Sequence, residues 1–132
     1  WRDMHRHRRC QQVQQNFTTV HGYEIPPPLI DAGLDQEYRQ AMDAVRNDIE
    51  LLKKKDQEAS LYAIPFGFKV RCLFKMDYAE AEYIAKLRSG VKGHWSYRSV
   101  AWQIKQQLTK KFPFLGEGIQ ATPPDVEDAL TR

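Results

Sequence analysis

The strongest periodic pattern in the chain is helical and lies in its first half. From residue 38 onward, apolar side chains recur at alternating spacings of four and three, which places them on one helix face. These residues are Tyr38, Met42, Val45, Ile49 and Leu52. Most positions between them are polar or charged, so the opposite face should be solvated. The pattern predicts one long amphipathic helix that begins with Asp35 as its N-cap and reaches about Ser60.

A period of two marks the clearest strand, over residues 66–76. Its apolar face, which should pack in the core, comprises Phe66, Phe68, Val70, Cys72, Phe74 and Met76, and the other face is largely basic. The β-branched and aromatic run Phe17–Val20 predicts a second, short strand. Prolines at 26–28 predict an extended connector. We expect residues 1–20 and 66–76 to lie close together in one sheet.

Two further helices are predicted in the second half. Asp77 and Glu80 have the spacing of a capping box, and Gly90 lies where that helix should end. The next helix should follow Gly93 and end before Pro113. Its apolar face comprises Tyr97, Ala101, Ile104, Leu108 and Phe112.

These elements predict an α+β fold in which helices wrap an antiparallel sheet. The run Thr122–Asp125 predicts the start of a short terminal helix, since a proline follows a capping residue there. One strong strand cannot satisfy its own edges. We therefore expect the sheet to be completed by a missing N-terminal segment or by a partner chain.

Length and composition indicate a globular protein with one core. A chain of 132 residues is too short for two comfortable domains, so we expect a single domain over residues 1–132. The start at Trp1, without a methionine, predicts a fragment of a larger protein. Hydrophobic residues make up 42% and charged residues 28%, and no run approaches the roughly 18 apolar residues of a spanning helix. We expect a cytoplasmic protein without membrane attachment.

Charge and cysteine content narrow the classes of partner. A net charge of +3 does not make nucleic acid the expected partner. Cys10 and Cys72 are too few for a disulfide framework and should be reduced. His5 and His7 could join a cysteine or another histidine at a metal ion, but no third ligand has a fixed spacing to them. The sequence therefore predicts no metal site.

The charged cluster at the start also carries a recognisable motif. The triplet Arg6-His7-Arg8 resembles the signature of flavin-dependent thymidylate synthases, which reads Arg-His-Arg, seven residues, Ser, any residue, Arg. Later features follow in the order that this family shows: a long helix, Ile64-Pro65, a strand, a helix containing Leu87-Arg88, and the run His94–Arg98 opening a last helix. The chain resembles the C-terminal two-thirds of the flavin-dependent thymidylate synthase (ThyX) family.

This resemblance implies an activity and a set of site residues. The family converts dUMP to dTMP with methylenetetrahydrofolate as carbon donor, FAD as cofactor and NADPH as reductant, in homotetramers. The matched cofactor-binding residues are Arg6, His7 and Arg8. The matched substrate-binding residues are Arg6, Gln14 and Asn16. Arg88 matches the catalytic arginine that polarises the uracil ring.

The chain also departs from the family pattern at five matched positions. Asn16 replaces the signature serine, and Thr18 and Leu61 replace two arginines, of which the first helps to hold the substrate phosphate. Asp77 and Ala79 replace a flavin-contacting asparagine and arginine. A charge-assisted contact contributes roughly 1.5 to 3 kcal/mol, so the loss of two arginines predicts dUMP binding weakened by about two to four decades. We therefore expect a catalytically degenerate domain or copy, and the alternative is a non-catalytic structural, oligomerisation or anion-binding module.

Some candidate residues also have a simpler interpretation. The run His5–Arg9 could be an exposed, solvated charge cluster. Trp95, Tyr97 and Trp102 could stack on a flavin or a base, but aromatic residues at helical spacing are more typical of a core. His94 could act as a general base, but its position just before a helix favours a capping role.

Overall fold

The computed structural model of the protein describes residues 3–127, which fall into two compact units. The first unit comprises residues 3–12 and 74–127, and the second comprises residues 13–73. After a short 3₁₀ turn, Met4–Arg6, the elements are strands β1 (Gln11–Gln14) and β2 (Cys72–Lys75) and helices α1 (Pro27–Asp31), α2 (Asp35–Lys55), α3 (Gln57–Tyr62), α4 (Tyr78–Arg88), α5 (Trp95–Lys111) and α6 (Pro113–Glu117). The single domain over residues 1–132 stays a prediction.

The two strands pair with each other in an antiparallel sheet. This pairing confirms the α+β fold class and the expectation that residues 1–20 and 66–76 meet in one sheet. The strand predicted over Phe17–Val20 is wrong, since the strand lies earlier, in the glutamine-rich run. In residues 17–20, the Thr18 hydroxyl accepts a hydrogen bond from the Val20 peptide N–H at 3.2 Å. Such a local side-chain contact replaces the ladder hydrogen bonds of a strand.

The strand predicted over residues 66–76 is shorter than its alternation suggested. Regular pairing covers only Cys72–Lys75, and an isolated bridge joins Tyr23 to Phe68. Phe68 is buried as expected, but Phe66 is 96% exposed, so its assignment to the core was wrong. The Phe68 peptide N–H donates to the Pro65 carbonyl at 3.1 Å. That turn takes residues 65–68 out of the strand.

The apolar face of α2 forms the core of the second unit, as its spacing predicted. Met42 and Ile49 are buried together with Phe68, and partly buried side chains pack around them: Tyr23, Tyr38, Val45 and Ile64. The helix ends at Lys55 rather than near Ser60, because Asp56 has an extended backbone.

The ends of these helices differ from the predicted ones in three further ways. The Asp56 carboxylate accepts from the Ala59 peptide N–H at 2.9 Å and so begins α3 as a new N-cap. Asp35 is the first residue of α2 rather than its cap. Pro27 and Pro28 form the first turn of α1 rather than an extended segment, since that turn needs no N–H donor.

The helices of the first unit begin where the sequence placed them. Asp77 Oδ1 accepts from the Glu80 peptide N–H at 2.8 Å and caps α4, which ends at Arg88. His94 Nδ1 accepts from the Ser96 peptide N–H at 3.3 Å and caps α5, which confirms the capping role. Residues 122–127 contain no helix, and the rest of the predicted terminal helix lies outside the described residues.

A glycine sets the close approach of α6 to α5. Gly116 is buried, and a Cβ atom there would collide with the backbone of Thr109. Gly118 lies two residues on in a helical conformation, and a Cβ there would meet its nearest atom, the Leu115 carbonyl oxygen, at 3.6 Å. The two glycines therefore form a matched pair. They share a helical backbone conformation and differ in the room available for a Cβ atom.

Gly116→Ala should lower the free energy of unfolding by about 1 to 3 kcal/mol, because the added methyl group would push the two helices apart. Gly118→Ala should raise it by about 0.4 to 1 kcal/mol, because alanine restricts the unfolded chain and fits the space. Urea denaturation followed by circular dichroism measures both. Equal stabilities of Gly116→Ala and the wild type would contradict the close packing of α6 on α5.

Candidate functional site

His7, the central residue of the signature triplet, is turned into the first unit and is only 4% exposed. Its backbone is held on both sides. The peptide N–H donates to the Met4 carbonyl at 3.2 Å, and the carbonyl accepts from Cys10 Sγ at 2.9 Å and from Gln12 Nε2 at 3.0 Å. Cys10, to which the sequence assigned no role, thus helps to fix the turn that buries the ring.

Both nitrogen atoms of the His7 ring are engaged by side chains of α4. Arg88 Nε donates to His7 Nε2 at 2.9 Å, and His7 Nδ1 lies 3.3 Å from Glu80 Oε1. The edge of the ring faces Tyr83, with ring centroids 5.8 Å apart. Because a guanidinium only donates, Nε2 must accept, which assigns the remaining proton to Nδ1. His7 therefore carries its hydrogen on the nitrogen that faces Glu80.

Arg88 is held by further contacts beyond the one to His7. Its Nη1 atom lies 3.6 Å from Asp3 Oδ1, its Cζ atom lies 5.8 Å from the centroid of the Tyr97 ring, and its side chain is 15% exposed. Glu80 and Arg88 are eight residues apart on α4, or about two turns, and both reach the same ring. One face of α4 thus presents a carboxylate and a guanidinium to His7.

Burial decides the charge state of His7. Burial of the ring lowers its pKa below the ordinary value of 6.5, and the neighbouring Arg88 charge lowers it further. The Glu80 carboxylate acts in the opposite direction, through its charge and a hydrogen bond, without reversing the shift. At neutral pH the ring is therefore uncharged, in agreement with its two contacts.

The two arginines of the triplet lie at the surface, unlike His7. Arg6 and Arg8 are both exposed, and neither forms an ion pair with another side chain among residues 3–127. The first unit thus contains Arg6, His7, Arg8 and Arg88, and a side-chain hydrogen bond joins Arg88 to His7. Gln14, half-buried on β1, and Asn16, exposed, belong to the second unit.

Three of the altered positions surround one recess of about 190 Å³ in the second unit. Asn16, Thr18 and Leu61 all line it. The charged side chains of its lining are Glu50 and Lys53, and Glu50 Oε1 accepts from the Thr19 hydroxyl at 3.2 Å. The recess therefore has one carboxylate and one ammonium group, and no guanidinium among its lining residues.

The two altered positions at the start of α4 are also occupied or inert. Asp77 caps the helix and contacts Arg9, with Oδ2 at 3.3 Å from Nη2. Ala79 is exposed and has no polar group to offer. Neither reproduces an amide or guanidinium contact to a ligand.

Sequence reasoning missed Glu80 and Asp3 as partners of the site. Glu80 was assigned to a capping box, but Asp77 alone caps the helix and the Glu80 side chain faces His7. The spacing of Glu80 and Arg88 on one helix was the available signal. Within residues 3–127, the His, Cys, Asp and Glu side chains form no group of three that could bind a metal ion, and no helix combines the length and the hydrophobicity of a membrane span.

Known proteins with similar sequences match most of the chain. A UPF0159 protein of Chlamydia pneumoniae is 30% identical over 113 residues, covering 86% of this chain and 21% of that protein. A UPF0159 protein of Thermoplasma acidophilum is 28% identical over 117 residues, covering 87% and 23%. The chain thus spans about a fifth of the length of these curated relatives.

A solved structure gives the same fold. The flavin-dependent thymidylate synthase ThyX of Helicobacter pylori, crystallised with FAD and dUMP, matches with a TM-score of 0.62 at 14% identity. The match covers 89% of this chain and 66% of that one. The family model for the thymidylate synthase complementing protein matches residues 1–114. The chain therefore belongs to the thymidylate synthase complementing protein family.

Proposed function

We propose that this chain is a catalytically degenerate homologue of FAD-dependent thymidylate synthase. The reaction of that enzyme converts dUMP to dTMP with methylenetetrahydrofolate, reduced flavin and NADPH. In this proposal the chain keeps an arginine that can face a uracil ring and has lost the groups that hold the phosphate. Its place in a homo-oligomer and its cytoplasmic location belong to the same proposal.

The observation that carries the proposal is the recess of the second unit. Asn16, Thr18 and Leu61, the positions that match a signature serine and two arginines, line this one recess. Glu50 places a carboxylate among them, which repels a phosphate group. Lys53 is a single flexible ammonium group and lacks the bidentate geometry of a guanidinium. The recess is therefore a poor phosphate site.

The residues matched to the flavin fit that cofactor badly. Both His7 ring nitrogens are used inside the chain, and Asp77 and Ala79 offer neither an amide nor a guanidinium group. Arg6 and Arg8 remain exposed and could contact phosphate oxygens. When bound, FAD would supply the redox chemistry of the reaction.

Arg88 is the matched residue that remains suited to its role. Nε donates to His7 and Nη1 faces Asp3, whereas Nη2 makes no hydrogen bond to any described residue. Two N–H donors on a fixed, half-buried guanidinium can polarise a carbonyl oxygen. The site therefore supports recognition of a uracil-type base more strongly than it supports turnover.

The second candidate function is an anion-binding or oligomerisation module without catalysis. Exposed Arg6 and Arg8, unpaired within residues 3–127, favour the anion-binding form. In that case anions such as pyrophosphate would bind with strong salt dependence. The uracil base would then contribute nothing to affinity, which separates this candidate from the first.

Flavin content tests the cofactor assignment. The purified 132-residue chain should contain FAD far below one equivalent and should not take up added FAD, because His7 is engaged and Asp77 and Ala79 replace two flavin contacts. Absorbance of the desalted protein near the flavin band measures the bound fraction. Yellow protein that contains about one equivalent of FAD per chain would contradict the degenerate assignment.

Comparing dUMP with deoxyuridine isolates the phosphate contribution. The wild type should bind the two with affinities within about tenfold of each other, because no arginine lines the recess. Thr18→Arg should raise dUMP affinity by about ten- to a hundredfold and leave deoxyuridine affinity unchanged. Isothermal titration calorimetry measures both ligands.

Val20→Arg is the matched control for this titration. Val20 is 79% exposed, lies two residues from Thr18 and is not part of the recess lining. Its substitution by arginine therefore adds the same charge outside the recess. An equal gain in dUMP affinity from Val20→Arg would show that the effect of Thr18→Arg comes from net charge and not from a contact in the recess. A wild type that strongly prefers dUMP would show that other cations, such as Lys69 and Arg71, hold the phosphate.

A further inference from the structure

The carboxylate of Glu80 is buried in the first unit with no capping task to explain it. It is 5% exposed, and the side-chain cap of α4 is supplied by Asp77, which accepts from the Glu80 peptide N–H. Burial of a carboxylate is costly unless a hydrogen-bond donor or an opposite charge compensates it. The donor that faces it is Nδ1 of His7, at 3.3 Å. The compensating charge lies on the far side of that ring, on Arg88.

The three side chains therefore form a line of carboxylate, neutral imidazole ring and guanidinium. Glu80 accepts from Nδ1–H, and Nε2 accepts from Arg88 Nε–H at 2.9 Å. A neutral imidazole has two tautomers of similar energy in water. Only the tautomer with hydrogen on Nδ1 lets Nε2 accept from Arg88. The acceptor at Glu80 thus selects the tautomer that the arginine requires.

Holding Nε fixes the plane of the Arg88 guanidinium. Rotation of the side chain would break the bond to His7, and Asp3 on Nη1 restrains the same plane from the other side. The Nη2 hydrogens are then left to point in one direction. A planar carbonyl ligand gains from such preorganisation, because the arginine need not be ordered when the ligand binds.

We propose that Glu80 is a positioning residue, which acts through His7 to hold the Arg88 guanidinium in one plane with Nη2 open to a carbonyl acceptor. The inference rests on the proposed function only for the identity of the ligand, a uracil-type base. The Glu80, His7 and Arg88 relay is a property of the chain alone and can be measured without any ligand.

Ring nitrogen NMR of the 132-residue chain tests the relay directly. In the wild type at neutral pH, the His7 spectrum should show hydrogen on Nδ1 and an unprotonated Nε2, and the Arg88 Nε–H resonance should exchange slowly with water. Glu80→Ala should shift His7 toward the other tautomer and speed the exchange at Arg88. Glu80→Gln should preserve the wild-type pattern in large part, because an amide oxygen still accepts from Nδ1–H.

Glu82→Ala is the matched control for this measurement. Glu82 lies two residues away on the same helix and forms no ion pair within the described residues. It should leave the His7 tautomer and the Arg88 resonance unchanged. A purely structural role for Glu80 would lower stability in Glu80→Ala without changing the tautomer, and that outcome would overturn the proposal. So would a wild type with hydrogen on Nε2.

Titration with deoxyuridine then joins the relay to ligand recognition. Glu80→Ala should weaken deoxyuridine binding by roughly tenfold, and Glu80→Gln should restore most of it, as expected for loss of one oriented charge-assisted contact. If the wild type binds no deoxyuridine, the proposed function fails while the NMR result still decides the relay. If it binds and Glu80→Ala binds equally well, the positioning role is wrong.

Acidification should disrupt the relay through protonation of His7. The groups around the ring are Glu80, Arg88 and Tyr83, and protonated Nε2 could no longer accept from Arg88. Because burial and Arg88 lower the pKa of His7 in the folded state, the unfolded chain binds the proton first. His7 thus contributes stability above about pH 6.5, its unfolded pKa, and loses it as the pH falls toward the lower folded pKa.

Urea denaturation of the wild type and of His7→Gln from pH 7.5 downward measures this contribution. The difference in free energy of unfolding between the two proteins should shrink as the pH falls below about 6.5. In Glu80→Gln, removal of the negative charge should lower the pKa of His7 further, which proton titration by NMR reads directly. A difference between the proteins that stays constant with pH would contradict a neutral, relay-bound His7.

Discussion

The buried contact between His7 and α4 organises the functional part of the first unit. A single imidazole ring receives a guanidinium N–H on one nitrogen and offers its own N–H to a carboxylate with the other. The ring can satisfy both partners only when it is neutral and in one tautomer. The orientation of Arg88 depends on this contact, because the direction of its remaining N–H donors follows from the hydrogen bond that His7 accepts.

The charged groups around Arg88 differ from those that line the recess of the second unit. The two N–H groups on Arg88 Nη2 make no hydrogen bond within residues 3–127 and lie in a partly buried environment, where a hydrogen bond to a carbonyl is stronger than in water. The recess lined by Asn16, Thr18 and Leu61 instead sets Glu50 beside Lys53. In the proposed function, the substitutions would therefore affect base recognition and phosphate recognition differently. Loss of one does not imply loss of the other.

The sequence predicted those features that depend on local periodicity. The buried face of α2, the Asp77 cap of α4 and the His94 cap of α5 all follow from spacing along one helix. Strand positions depend on which backbone lies alongside, so the pairing of Gln11–Gln14 could not be read from its polar side chains. Phe66 followed the alternation but lies in a turn outside the core.

The candidate site shows the same division. The matched motif identified His7 and Arg88, and the structure brings them into contact across 81 positions of the sequence. The motif could not identify Glu80, because a capping box explained that residue equally well from spacing alone. Asp3 gave no signal at all, since its contact with Arg88 depends on the turn that precedes His7. Partners of a motif residue are set by the fold and not by the motif.

A buried acid, ring and base is a costly way to stabilise a helix contact. Apolar side chains of similar volume often serve as well or better, because desolvation of the charged groups offsets much of their attraction. Stability alone therefore gives a weak physical reason for Glu80 to face His7. The orientation of Arg88 gives a stronger one, since a guanidinium held on its Nε side presents its outer N–H groups in a fixed direction. The relay is thus better explained by the proposed ligand contact of Arg88 than by stabilisation of the helix.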